Sequence, residues 1–332
     1  MSQSCIKKTP VNFPIDIVYA WANGNDPQYQ KLLAQVSRKG IDYARFAESN
    51  ELFYSLYSVY KFAPWVRKIF IVVADYQNPN FQDLPPSLVS KITLVRQHQI
   101  MPTNALPTFN SMAIETVLHL IPDLSEHFIY FNDDTMLGNH VQPTDFFTSN
   151  GEGYFFKKWL PRMFFQPIRF LWPEFNYLHR SIALHRQIAK KKNNSAVFWH
   201  GLHHCQPCRK SIFAMLWQHP STKDILHTTL HSQLRENNNI QPTALMHLTG
   251  LESGSMHARQ MPISSHLFIK LHHYNMFFHI QLLLLKKLKP QFLCFNSELK
   301  KPSVLEKQMN QTLRAYFEIN ADPINKVSYH YD

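Results

Sequence analysis

The run Ile69-Phe70-Ile71-Val72-Val73 constrains this chain more than any other segment. Five consecutive β-prone apolar residues leave no polar face, so a strand made from them must be covered on both sides. Strands of that kind belong to parallel sheets sandwiched between helices. The surrounding pattern agrees. Residues 14–22 (PIDIVYAWA) are β-rich and end in the turn Asn23-Gly24-Asn25-Asp26-Pro27. Residues 51–63 place Leu52, Leu56 and Val59 at helical spacing, residues 92–95 (ITLV) form a short strand, and residues 111–121 form a helix with Asn110 or Ser111 as N-cap. Phe128-Ile129-Tyr130-Phe131 is again strand-like. Strand, helix, strand, strand, helix, strand predicts an α/β fold with a mostly parallel sheet flanked by helices. Right-handed crossovers set the strand ends on one edge, where Asp26, Asp75, Asp133 and Asp134 follow their strands. Ligands of open α/β sheets bind at that edge. The adjacent carboxylates Asp133 and Asp134 therefore stand where a divalent cation and a diphosphate would meet. The same residues also read as an ordinary turn.

Beyond residue 150 the pattern loosens. Residues 151–172 mix Phe, Trp and Pro with strand-like pieces, and residues 175–200 start as a basic helix and pass through Lys190-Lys191-Lys192-Asn193-Asn194. Helices are expected at 208–218 and 222–234, and the tail from about 263 alternates apolar residues with His and Lys. This predicts one catalytic unit over residues 10–260 and a C-terminal helical extension, 261–332, packed on the core, on a partner or on anionic lipid.

Composition removes several classes. The chain has 332 residues, of which 45% are hydrophobic and 17% charged, enough to bury a full core and too apolar for disorder. It has 8 glycines and neither GxGxxG nor GxxxxGK[ST], so a nucleotide would bind by another device. The net charge of +11 suits a polyanionic partner, and no nucleic-acid motif accompanies it. Four cysteines are too few for a disulfide scaffold, and Cys205-Gln206-Pro207-Cys208, near His200, His203 and His204, lacks the second ligand pair of a zinc site. The first residues lack the apolar core of a signal peptide, and no apolar stretch is long enough to span a bilayer. The expectation is a cytoplasmic protein, located at most on the inner face of the membrane.

The motifs carry a family resemblance. Asp16 to Pro27 resembles the first conserved region of the Stealth proteins, and Glu51 to Leu56 with Ala63 to Ile69 resembles the second, continuing through Leu106 to Ser111, Ala113-Ile114-Glu115 and Asn132-Asp133-Asp134. His204-Cys205-Gln206-Pro207 is similar to the third region, and Arg235 to Ile240 to the fourth. Three positions depart from the family pattern: Tyr57 where arginine is common, Gln99 where an acid is common, and Asn239 in place of aspartate.

The resemblance implies a nucleotide-sugar-transferase-like fold and a hexose-1-phosphate transferase of capsule or exopolysaccharide synthesis. Such an enzyme moves a sugar-1-phosphate from a UDP-hexose or UDP-N-acetylhexosamine to a polysaccharide or lipid-linked glycan and releases UMP. It also implies the roles. Asp133 and Asp134 would hold Mg²⁺ or Mn²⁺, and Glu115 would be a second acidic site residue. His204 would act as general base and Arg235 would grip phosphate. Asn23, Gly24, Asp26, Asn110 and Ser111 would bind substrate. Two rival readings remain: a UDP-sugar glycosyltransferase that releases UDP, and a non-catalytic carbohydrate-binding relative. Nucleic acid is not expected as a partner.

Overall fold

A computed structural model describes residues 10–37, 50–157, 181–182, 184, 203–271, 277–297 and 304–319. The expectations for 158–172, for most of 175–200 and for His200 lie outside the described residues.

The strands are β1 (Ile15–Ala20), β2 (Ile69–Val73), β3 (Ile92–Arg96), β4 (His127–Phe131), β5 (Thr135–Leu137), β6 (Gly153–Lys157), β7 (Gln206–Arg209), β8 (Met256–Gln260), β9 (His266–Leu271) and β10 (Phe292–Ser297). The helices are α1 (Pro27–Val36), α2 (Glu51–Phe62), α3 (Pro86–Val89), α4 (Ser111–Glu115), α5 (Pro143–Phe146), α6 (Lys210–Gln218), α7 (Pro220–Leu230), α8 (Pro242–Ser253), α9 (Phe278–Leu288) and α10 (Val304–Phe317).

The main sheet runs β3-β2-β1-β4-β7. Its first four strands are parallel, in registers that set Tyr19 opposite both Ile71 and Phe131, while β7 closes the edge antiparallel to β4. The expected α/β architecture with a mostly parallel sheet flanked by helices is what the chain forms. All five residues of β2 are buried, as their unbroken apolar run requires. Alternate side chains then feed two cores. Ile17, Tyr19, Ile69, Ile71, Ile129 and Phe131 point to one, and Val18, Phe70, Val72, Phe128 and Tyr130 to the other. Each such fully buried side chain stabilises the fold by roughly 1.5–3 kcal/mol before chain entropy is charged against it.

Polar bonds lock the same frame. At the start of β1, Asp16 is fully buried and accepts from Arg67 Nε (2.9 Å) and a second guanidinium nitrogen (2.6 Å), and from the backbone N–H groups of Lys68 (3.2 Å) and Ser125 (2.7 Å). On α2, Ser55 donates to the Thr135 carbonyl (2.5 Å), and Ser58 Oγ accepts from Leu137 N–H (3.0 Å), so the helix pins β5.

The helix expected at 111–121 is shorter than its apolar pattern suggested. Regular α-helix stops at Glu115, and the chain continues through turns into a 3₁₀ turn at Leu118–Leu120. The C-terminal segment contains α9 and α10, and α10 packs Met309, Leu313 and Phe317 into the first core. It also contributes β9 and β10. These pair parallel with each other, and β10 pairs antiparallel with β5, directly after the Asp133-Asp134 turn. The final segment is therefore part of the site's floor.

Candidate active site

β4 delivers its carboxylates through a tight turn. Thr135 donates to the Asn132 carbonyl from both N–H (3.1 Å) and Oγ1 (2.7 Å), which leaves Asp133 and Asp134 at the turn's centre. The turn reading and the carboxylate-pair reading are thus the same object. Asp134 N–H donates to Asp133 Oδ1 (3.1 Å), and the Asp134 carbonyl accepts from Phe295 N–H of β10 (2.9 Å).

The Asp134 side chain has two unlike oxygens. Oδ2 accepts from His203 Nε2 (3.2 Å), Asn296 Nδ2 (3.1 Å) and the Cys294 thiol (3.4 Å). Oδ1 is buried with no hydrogen-bond partner. Burial works against the Asp134 charge, but His203, Asn296 and Cys294 outweigh it and hold the carboxyl below the usual range. Desolvation also works against a charged His203, and the Asp134 carboxylate overrides it and raises the imidazole.

Arg235, whose charge reaches His203, donates to Ser111 Oγ at 2.7 Å. Behind it Glu115 is buried, accepting from Thr243 Oγ1 (3.1 Å) and the Tyr130 hydroxyl (3.4 Å). Burial raises the Glu115 carboxyl to about 6, against the pull of the Arg235 charge and these hydrogen bonds. A carboxyl raised in the fold binds its proton more tightly there than in the unfolded chain. Stability therefore falls as pH rises from about 4.5 to about 6. Glu115→Gln removes this cost of a buried charge. The variant is expected to be more stable at pH 7 by roughly 2 kcal/mol, with no gain below pH 4.5, as read by urea unfolding at both pH values.

The remaining expected residues fall into two groups. Asn23, Gly24 and Asp26 lie on the loop after β1. Asn23 exchanges two hydrogen bonds with Gln77 (3.1 and 2.7 Å), the Gly24 carbonyl accepts from Gln30, and Asp26 caps α1 by accepting from Tyr29 N–H at 2.9 Å. Asp75, at the end of β2, pairs with His98 at 2.8 Å. Asn110 is buried, caps α4 by accepting from Met112 N–H, and donates to Asn239 Oδ1 at 3.0 Å. The contacts thus join Asp133, Asp134 and His203 on one side and Arg235, Ser111 and Glu115 on the other. They give Asp26, Asp75 and Asn110 local structural partners.

His204 is 3% exposed, its ring stacked on Phe292 at 4.8 Å and edge-on to Phe156, with Nδ1 donating to the Cys205 carbonyl. Burial, with His266 beside it, pushes this imidazole well below its ordinary value, so it is neutral. The neighbouring His203, 43% exposed, is the imidazole that meets Asp134. Cys294 and Asn296 were not legible as site residues, because only the β5–β10 pairing brings them there. The three departures from the family pattern have local tasks. Tyr57 packs among Phe53 and Tyr60, Gln99 closes a turn on Arg96 N–H (2.7 Å), and Asn239 joins Asn110, Ser232 and the Glu236 backbone. Cys205 and Cys208 are buried thiols, raised by that burial, and belong to no metal-ligating cluster found among the described residues.

The residues present fit a divalent cation. Donor atoms of Asp134, His203 and Cys294 lie within 4.8 Å of one another, and the unpartnered Asp134 Oδ1 is the kind of buried oxygen that an ion satisfies. Asp133 adjoins this group in the chain without belonging to it.

These features are those of an α/β protein with a carboxylate pair, met by a histidine and near an arginine, at the carboxyl edge of a mostly parallel sheet. Residues 13–40 match Stealth protein CR1, conserved region 1, and residues 45–155 match Stealth protein CR2, conserved region 2. The chain belongs to the Stealth family. It is 36% identical over 256 residues to a capsular polysaccharide phosphotransferase of Neisseria meningitidis serogroup B, covering 72% of this chain and 66% of the relative. It is also 36% identical over 244 residues to one of Actinobacillus suis, covering 70% and 63%. An exopolysaccharide phosphotransferase of Streptomyces coelicolor, SCO2594, is 44% identical over 151 residues, covering 43% and 24%. The chain thus spans about two thirds or less of the length of these relatives. The solved galactosyltransferase LgtC superposes with a TM-score of 0.44 at 10% identity, over 93% of this chain and 98% of its own.

Proposed function

We propose that this chain is a sugar-1-phosphate transferase of surface-polysaccharide synthesis, working at the inner face of the cytoplasmic membrane. It takes the hexose-1-phosphate of a UDP-hexose or UDP-N-acetylhexosamine, and its acceptor is a hydroxyl of a polysaccharide or lipid-linked glycan. The acceptor oxygen attacks the sugar-bearing phosphorus, the phosphoanhydride bond breaks, and UMP leaves. The sugar keeps its anomeric configuration and the product is a phosphodiester. The observation that carries this reading is the Asp134–His203 pair after β4, near enough to Arg235 and its Ser111 partner for the Arg235 charge to act on His203, in a chain whose relatives are named polysaccharide phosphotransferases.

Each residue then has a task. Arg235 grips phosphate oxygens through its planar fork, aimed by Ser111. Glu115 balances the Arg235 charge from behind. His203 is the exposed imidazole of its pair, so it takes the acceptor proton, and Asp134 Oδ2 stabilises the imidazolium that forms. His204 supports that wall as a neutral ring, in place of acting as the base itself. Asp134 would hold Mg²⁺ or Mn²⁺ through its unpartnered Oδ1, leaving Oδ2 to His203, and the ion would supply charge neutralisation to the diphosphate.

The test is nucleotide release from a panel of UDP-sugars with short glycan acceptors, before and after removal of divalent cations by EDTA. UMP that appears with one donor, stops with EDTA and returns with Mn²⁺ or Mg²⁺ is the expected result. UDP release would make the chain a glycosyltransferase, and silence across the panel would favour the binding protein.

A further inference from the structure

We infer that α9 is a docking face for an anionic lipid bilayer. The helix, FHIQLLLLKKL, is apolar on two sides. Phe278, Leu282 and Leu285, at spacings of four and three, are buried against the body of the protein. A second stripe faces outward: Phe277 is 63% exposed, Ile280 53% and Leu283 66%, with Leu284 and Leu288 also open. A surface helix normally turns polar side chains to water, and one that is apolar all round is a covered helix. Ile263, 78% exposed, extends the patch across an open recess of about 710 Å³ that it shares with Met261 and Leu288.

The charge around the patch says what covers it. Residues 253–297 contain no Asp or Glu, and they contain Arg259, Lys270, Lys286, Lys287 and Lys289. On α9 the lysines cluster in the last turn, beside Leu283 and Leu288, and Lys289 caps the helix. Glu318 lies within reach of the Lys289 charge at the helix end, but the exposed stripe itself is bordered by Lys286 and Lys287 with no acid on the helix, the pattern of a helix lying flat in a lipid interface. The cations meet lipid phosphates while leucine and isoleucine enter the acyl boundary. No described helix is long and apolar enough to cross a membrane, so this would be contact from one side. The chain passes from α9 through Pro290 straight into β10, which carries Cys294 and Asn296 to Asp134. Docking would therefore bring the Asp134 site close to the lipid surface. This deepens the location given in the proposed function and rests on that reading for the identity of the membrane, while its test is independent of turnover.

The experiment is flotation of the purified chain with vesicles of neutral phosphatidylcholine or of phosphatidylcholine mixed with phosphatidylglycerol. The parent is expected to float with the anionic vesicles, to stay behind with the neutral ones, and to be released by salt. Ile280→Asp with Leu283→Asp, both at exposed positions, should abolish flotation. Lys286→Gln with Lys287→Gln should weaken it roughly 25-fold, about fivefold for each lysine. Leu283→Trp should be quenched by brominated acyl chains. Absence of binding by the parent, or binding that the Asp pair leaves unchanged, would overturn the inference. So would a parent dimer in sedimentation that the Asp pair dissociates, because a second copy would then own the face. UMP release measured on the same Asp-pair protein separates a lost membrane contact from a lost active site.

Discussion

Asp134→Asn is expected to lower nucleotide release at least about 10³-fold while the protein stays folded, the scale set by losing a positioned charge at a phosphoryl-transfer site. The substitution keeps the shape of the turn, because Asp134 binds β10 through its backbone carbonyl, which the amide retains. The new side chain still has one oxygen for His203 and Asn296, and its amide nitrogen falls where Oδ1 has no partner now. What disappears is the charge that faces both the imidazole and the cation. His203, Asn296 and Cys294 favour the ionised Asp134 despite its burial. Its stabilising contribution is therefore present above the ordinary carboxylate range and is lost as pH falls through the depressed folded value. At neutral pH the variant should lose on the order of 1 kcal/mol, the difference between a hydrogen bond to a charged group and one to a neutral group. Circular dichroism and a melting curve near the parent's, together with weakened Mn²⁺ binding by calorimetry, complete the expected result. Full turnover in this variant would remove Asp134 from the reaction.

Asp16→Ala is expected to cost about 3 kcal/mol of stability, the lower end for breaking a buried ion pair, because Arg67 keeps some access to water. The loss is not only electrostatic. Asp16 also accepts from the backbone of Lys68 and of Ser125, so its removal leaves two N–H groups unpaired where β1 meets the segments entering β2 and β4. Against a typical total of 5–15 kcal/mol, that is a large fraction. A drop in the urea midpoint with little change in slope is the expected signature, and Asp16→Asn, which keeps an acceptor, should lie between alanine and the parent. An unchanged midpoint would show that the pair contributes nothing net. Asp16 sits in the first motif and Arg67 in the second, so part of what reads as a site signature is the clasp joining β1 to β2.

Much of the frame was legible because it rests on local chemistry. The unbroken apolar run of β2 demanded cover on both faces, the Asn110 side chain capped a helix as its position suggested, and the strand ending in Asp133-Asp134 placed a carboxylate pair at the sheet edge. Other features turned on which neighbour each side chain meets. Asp26 and Asp75 follow their strands as Asp134 does, yet one caps α1 and the other pairs with His98. Periodicity says where a strand ends and not which neighbour takes its carboxylate. Of two adjacent histidines, His203 faces Asp134, while His204 turns between Phe156 and Phe292. The backbone direction at that point is set by the β4–β7 pairing, which short sequence cannot announce.

An α/β fold, the common edge of its parallel strands, the Asp133-Asp134 turn and the family all follow from short stretches of chain. They do so because apolar periodicity, capping and turn chemistry act over a few residues. What surrounds those carboxylates follows instead from long-range packing. Cys294 and Asn296 reach Asp134 across some 160 residues of chain through the pairing of β10 with β5, and Arg235 closes on Ser111 from 124 residues away. Such contacts are fixed by how cores and sheets pack, and so by the whole chain at once.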